Sequence, residues 1–125
     1  MPLPTYTLYT PAGSFRAFAP LIAAEINDIG VAVVSDGLED ALTKSPTGKA
    51  PLLESSVTGG VIFASASIAR YMGGLRQDTG LLGTSFAEKA GVNNWIDWSS
   101  AELELPACIL FYPIAGYMKK IDETL

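Results

Sequence analysis

Residues Ser45–Ser55 read SPTGKAPLLES, a polar turn running into an apolar strand with a proline, Pro51, at the strand's head. Proline has no backbone N–H to give to a ladder, so within sheets it belongs at a first residue, an edge or a bulge. What Pro51 does there depends on the elements around it. On the N-terminal side, TYTLYT (Thr5–Thr10) alternates and is rich in aromatic and β-branched residues, which predicts a strand. SFRAFAPLIAAEIN places Phe15, Phe18, Ile22 and Ile26 at spacings of three and four, an amphipathic helix over about 14–27. Pro20 inside it predicts either a kink or an effective start after an irregular first turn. GVAVVS (Gly30–Ser35) is short and apolar, as suits a buried strand parallel to the first.

A short helix over LEDALTK (Leu38–Lys44) precedes the strand that Pro51 heads. SSVTGG supplies the glycines of a turn, VIFA (Val61–Ala64) returns antiparallel, and SASIARYMGGLR follows as a helix with Ser65 as N-cap and Gly73 as stop. The order βαβαββα is that of a thioredoxin-like half-domain, an α/β fold. At the corresponding place such folds carry a cis proline, and an X-Pro bond is cis at a cost of only about 0.5–1 kcal/mol. A cis Ala50–Pro51 bond turns the Ala50 N–H and C=O toward an extended ligand, which gives the missing donor a use.

Composition excludes several functions. With 49% hydrophobic and 17% charged residues the 125-residue chain suits about one globular domain. Thirteen acidic against eight basic residues, a net charge of −5, disfavour direct binding to a phosphate backbone. The absence of histidine excludes a His triad, a His base and His metal ligation. Cys108 is the only cysteine; it fits a reducing compartment and reads as a buried small hydrophobe. The start, MPLPTYTLYT, lacks a basic segment followed by an apolar run, so no signal peptide is expected. LPACILFYPIAGYM (Leu105–Met118) is shorter than the roughly 20 residues a bilayer span needs, and Pro106 and Pro113 interrupt it. TGKA (Thr47–Ala50) lacks the rest of a phosphate loop, and Glu102 and Glu104 diverge on a helix, so no metal site is expected.

GGLRQDTGLLGTS (Gly73–Ser85) is the one soft boundary. It divides residues 1–77 from 85–125, with a linker over 78–84. The last block places Phe86, Val92, Trp95, Ile96, Trp98, Leu103, Leu105, Ile109 and Leu110 at mostly helical spacings, one long or bent helix in which Trp95→Ala is expected to impair stability or self-association, by about 3–5 kcal/mol if the ring is core.

The block SPTGKAPLLES followed by GGVIFASASIARYM resembles the N-terminal domain of glutathione transferases. More narrowly, TLYT with FRAFAPLIAA (Phe15–Ala24) and the block from Leu81 to Met118 resemble the gamma subunits of translation elongation factor 1, whose N-terminal region is transferase-like. The resemblance implies a thioredoxin-like domain over 1–77 and the first helix of an all-helical C-terminal domain over 85–125. It also implies a cytoplasmic assembly module that anchors the nucleotide-exchange subunits of elongation factor 1, with a homodimer through the transferase-like region as a further expectation. Two alternatives are a glutathione transferase and a transferase-like docking module of an aminoacyl-tRNA synthetase complex. No cofactor is required on this reading; glutathione is the ligand the frame could take. Ala50 and Pro51 would offer it a backbone edge, and Ser65, with the N–H groups of the helix it opens, would hold its γ-glutamyl carboxylate. The residue before that serine, acidic or an amide in transferases, is here Ala64. For activating the thiol the sequence leaves three hydroxyls open, Tyr9, Thr10 and Ser14.

Overall fold

A computed structural model describes residues 6–57 and 59–116. Two compact units divide the chain, Met1–Thr84 and Ser85–Leu125. The first runs β1 (Tyr6–Tyr9), a 3₁₀ turn (Phe15–Ala17), α1 (Phe18–Ile26), β2 (Val31–Val34), α2 (Leu38–Leu42), β3 (Leu52–Ser55), β4 (Val61–Phe63) and α3 (Ser65–Gly74). Thr5, where the first strand was expected to begin, lies outside the described residues. The sheet order is β2-β1-β3-β4, with β1 and β2 parallel and the other neighbours antiparallel. This is the expected βαβαββα arrangement.

One difference follows from that order. The strand at Gly30–Ser35 was expected to be buried, but β2 is a margin of the sheet and Val33 is half exposed. A βαβ unit pairs its two strands without saying which of them ends up central.

Leu8 faces Leu53 across the antiparallel β1–β3 pair, and both are buried. They share the core with Tyr6, Ala17, Ala23, Ala24, Ile68 and Met72, so α1 and α3 pack together on one face of the sheet. Alternation sends Thr7, Tyr9, Leu52 and Glu54 to the other face. Lys44, just past α2, reaches Glu54 there, which places α2 on that side.

Pro20 is the third residue of α1, so the irregular 3₁₀ turn comes first and the proline occupies the first α turn, where backbone N–H groups have no intrahelical partner. The expected apolar stripe is present but turned the other way. Phe15, Phe18, Ile22 and Ile26 are between 48% and 58% exposed, and the buried side of the helix is Ala17, Pro20, Ala23 and Ala24. Both sets obey helical spacing. Volume decides between them, because α1 lies close against α3 and only small residues admit that approach.

At its other end α1 stops in a double closure. The Ile29 N–H donates to the Ala24 carbonyl and the Asp28 N–H to that of Glu25, with Asp28 at φ 53°. Asn27, the C-cap, is fully buried. Its Nδ2 donates to the carbonyls of Met72 (2.7 Å) and Gly73 (3.1 Å) near the end of α3, and its Oδ1 accepts from Thr79 Oγ1 at 2.6 Å. Gly73 and Gly74 leave room for Leu82, since a Cβ on either would stand 3.1–3.2 Å from that side chain.

The second unit is a run of helix in three parts: α4 (Phe86–Trp98), a π-helical segment (Ser99–Glu104) and α5 (Leu105–Ala115). Ser85 caps α4 by accepting the Glu88 N–H at 3.1 Å, the start of a Ser-x-x-Glu pattern. The π segment has a local cause. Pro106 offers no N–H to the carbonyl four residues back, while the Ser99 and Ser100 hydroxyls both donate to the Ile96 carbonyl. Trp95 and Trp98 meet edge to face at 5.7 Å, yet Trp95 is 70% exposed. The condition for the larger loss is therefore not met, because a single run of helix has nothing of its own to bury that face against. Cys108 is buried, as expected.

Candidate functional site

The Ala50–Pro51 peptide is cis, as the element order predicts. The Tyr9–Leu52 and Leu52–Phe63 pairings close the ladders at one end of the sheet, and Thr10, Pro51 and Ala64 are the next residues along their chains there. The 3₁₀ turn joins them, because the Ser65 hydroxyl donates to the Arg16 carbonyl at 2.6 Å. Ala50, Pro51, Ser65, Thr10 and the Ser14–Ala17 turn thus gather at one end of the sheet.

The N-terminus of α3 differs from the expectation in one respect. Its cap is Ala64, with Ser65 the first helical residue, whose hydroxyl donates to the Arg16 carbonyl. Ala64 holds φ 71° and ψ 131°, a conformation that suits glycine and costs an alanine about 1–3 kcal/mol. It faces solvent, and its carbonyl accepts the Ile68 N–H at 3.0 Å. That backbone turn ends β4 and opens α3, whose first N–H groups make the positive end of the helix.

The three hydroxyl candidates have different surroundings. Tyr9 lies on the sheet face opposite the α1–α3 core and donates to Glu54 Oε2 at 3.0 Å, while Glu54 Oε1 accepts from Lys44 at 2.9 Å. The bond to Glu54, with burial and the nearby negative charge behind it, raises the Tyr9 pKa, and it commits to Glu54 the phenol proton that a thiolate would have to receive. Thr10 is 2% exposed, with its hydroxyl 3.5 Å from the Pro11 carbonyl. Ser14 heads the 3₁₀ turn, half-buried, with no capping bond from its side chain. Alternation in TYTLYT already put Tyr9 opposite Leu8; the signal missed was that the same register brings Glu54 under it. Arg16, beside Ser14, holds its guanidinium over the Phe15 ring at 5.5 Å.

The Tyr9–Glu54–Lys44 chain has a definite pH signature. Lys44, then Tyr9, hold the Glu54 carboxyl below its ordinary 4.5, so its contribution is complete above 4.5 and is lost as pH falls through the folded value. Tyr9 is raised above 10, so its contribution is complete below 10 and disappears as pH rises through the folded value. Tyr6, held by the Tyr71 hydroxyl at 3.2 Å and by burial, is pushed up to about 12. Tyrosinate absorbance should therefore show Tyr6 and Tyr9 ionising later than a free phenol. Glu54→Gln should return Tyr9 toward 10 and leave Tyr6 in place; an unmoved Tyr9 would mean that Glu54 is not its partner in solution.

Among the described residues no cluster of acidic or cysteine side chains could hold a metal ion, and no helix is long and apolar enough to cross a membrane.

No protein-family model matches the chain. Curated relatives do. It is 34% identical to elongation factor 1-gamma 1 of Oryza sativa subsp. japonica over 117 residues, 88% of this chain and 28% of that protein. It is 36% identical to a probable elongation factor 1-gamma 1 of Arabidopsis thaliana over 118 residues, 89% and 28% of the two chains. To elongation factor 1-gamma-A of Xenopus laevis it is 32% identical over 123 residues, 90% and 27%. The chain therefore spans less than a third of the length of these relatives. Among solved structures, a theta class glutathione transferase from Xanthomonas axonopodis pv. citri, with glutathione bound, superposes with a TM-score of 0.76 at 20% identity, covering 88% of this chain and 55% of that one. A Bombyx mori glutathione transferase gives 0.79 at 18% identity, covering 98% and 59%. At such identities the likeness establishes the fold.

Proposed function

Because the chain is a homologue of elongation factor 1-gamma with a glutathione transferase-like fold, we propose that it is an assembly module of the elongation factor 1 complex, anchoring the nucleotide-exchange subunits through protein contact. The observation that carries this reading is the contrast in identity: 32–36% to elongation factor 1-gamma proteins against 18–20% to the two transferases above. The chemistry of the site supports it. Tyr9 is tied to Glu54, Thr10 is buried and the Ser65 proton is directed inward, which leaves a poor set for activating a thiol. Large apolar side chains exposed along α1 fit a protein that works by contact, and we read that stripe as a surface covered in the assembled factor. Such a module belongs in the cytoplasm with the translation machinery.

Co-purification tests the reading. The chain, tagged and mixed with the nucleotide-exchange subunits, should elute with them as one species, and Ile22→Glu should weaken the complex without lowering the melting temperature. Separate elution of the folded chain would overturn it. Light scattering on the chain alone reports the homodimer, as a mass twice that of one chain.

A second reading, a glutathione-binding enzyme, is favoured by Ser14, whose half-buried hydroxyl stands at the head of the 3₁₀ turn that leads into α1. Titration with reduced glutathione decides it: a Kd tighter than about 1 mM, near −4 kcal/mol, would reopen catalysis. No heat from a folded sample would leave Ala50 and Pro51 as inherited architecture.

A further inference from the structure

Glu54 is the one charged residue among the described strands, YTLY, VAVV, LLES and VIF, and glutamate is depleted in strands. Its two oxygens are divided between partners. Oε2 accepts from the Tyr9 hydroxyl on the neighbouring strand at 3.0 Å, and Oε1 accepts from Lys44 Nζ at 2.9 Å. Lys44 stands just past α2, in a stretch bracketed by two glycines in the left-handed region, Gly37 at φ 64° and Gly48 at φ 66°. Among residues 38–47 only Ala41 and Ser45 are buried, so the stretch has few apolar anchors of its own. We propose that Glu54 is a positioning residue for this stretch: it latches Lys44, and with it residues 38–47, over the face of the sheet opposite α1 and α3, and so holds in place the backbone of Ala50 and Pro51 that follows.

An exposed lysine and a carboxylate ordinarily gain little from each other, because both side chains lose freedom when they meet. Here one of the two is already ordered. Glu54 sits on β3, which is paired on both sides, and the Tyr9 hydroxyl occupies one of its oxygens, so the other stays aimed and only the lysine has to be fixed. Both bonds to the carboxylate are charge-assisted, which makes each stronger than a neutral hydrogen bond. Tyr9 thereby serves as the arm that steadies Glu54, in place of the thiol contact its sequence position suggested. Glu54 does this whichever partner or ligand the chain serves.

Amide exchange on the whole chain tests the latch. The Ser45 N–H donates to the Leu42 carbonyl at 3.0 Å and the Gly48 N–H to the Ser45 carbonyl at 3.1 Å, so both amides report whether the stretch is held. Lys44→Met keeps the reach of the side chain and drops its charge. It should speed both amides about threefold, an effect of the size an ion pair of this kind allows, and leave the Ile29 amide beyond α1 unchanged. Lys44→Arg, which keeps the charge, should restore the parent's rates. Salt at about 0.5 M should speed the two amides in the parent and not in Lys44→Met, which has no pair to screen. In a Tyr9→Phe background, where the carboxylate is no longer steadied, Lys44→Met should have less than half its effect on the parent. Lys44 is exposed, so its variants keep the fold. Amides that ignore Lys44→Met, parent rates indifferent to salt, or equal effects of Lys44→Met in the parent and in Tyr9→Phe would each overturn the proposal.

Discussion

Asn27→Ala is expected to lower the stability of the first unit by about 3–5 kcal/mol, the largest effect of any single polar substitution in it. The Asn27 amide is fully buried and serves three partners at once: the Met72 and Gly73 carbonyls and the Thr79 hydroxyl. Alanine leaves two buried carbonyls short of a donor, each at a cost of about 1–3 kcal/mol, and frees the segment after α3 from its anchor. Thr79→Val removes the hydroxyl that donates to Asn27 Oδ1 at 2.6 Å and, more weakly, to the Arg76 carbonyl at 3.3 Å, and should cost about 1 kcal/mol. Asn27→Asp returns an acceptor to Thr79 but sets an oxygen against the two carbonyls, so it should fare no better than alanine near neutral pH. Urea denaturation followed by circular dichroism gives these differences as midpoint shifts at constant slope. A loss below about 1 kcal/mol for Asn27→Ala would show that water takes over the role of the amide.

Ile68→Ala should cost about 3–4 kcal/mol. Ile68 is fully buried on the inner face of α3, packed with Leu8, Leu53 and Met72, so truncation removes apolar burial and leaves a cavity. Trp95→Ala makes the contrast. Its ring is much larger, but the loss should stay below about 1 kcal/mol in this chain, because most of its surface already faces water and the edge contact with Trp98 is worth roughly 0.5–1.5 kcal/mol at best. Thermal melts of the two variants side by side check the ranking. A Trp95→Ala loss matching that of Ile68→Ala would mean the ring is covered in solution, and light scattering would then tell whether a second copy covers it.

These two cases mark what can be read from sequence here and what cannot. Strand, helix and turn signals around Pro51 were local, and every expected element of the first unit is present. Orientation was not local. Phe15, Phe18, Ile22 and Ile26 share helical spacing with Ala17, Pro20, Ala23 and Ala24, and only the close approach of α3 selects the small set for the interior. Ser65 read as a cap because Ser followed by helix formers is a capping pattern. The Arg16 carbonyl that receives its proton is far off in sequence, and nothing local announces it. Asn27 looked like an ordinary helix end, since its three partners come from residues 72–79. Tyr9 is the intermediate case, because strand alternation and the β1–β3 register together would have found Glu54.

The margins of the sheet bear on how this chain behaves at high concentration. Among the described residues the sheet ends in β2, four residues, and β4, three residues. So short a row of open N–H and C=O groups is a poor template for strand addition by a neighbour. The exposed oily side chains of α1, α4 and α5 stand on helices, whose backbone groups are mostly satisfied within the helix itself. Crowded molecules should therefore cling side chain to side chain, in contacts that dilution or a mild detergent undoes, and should be slow to convert into amyloid-like fibres.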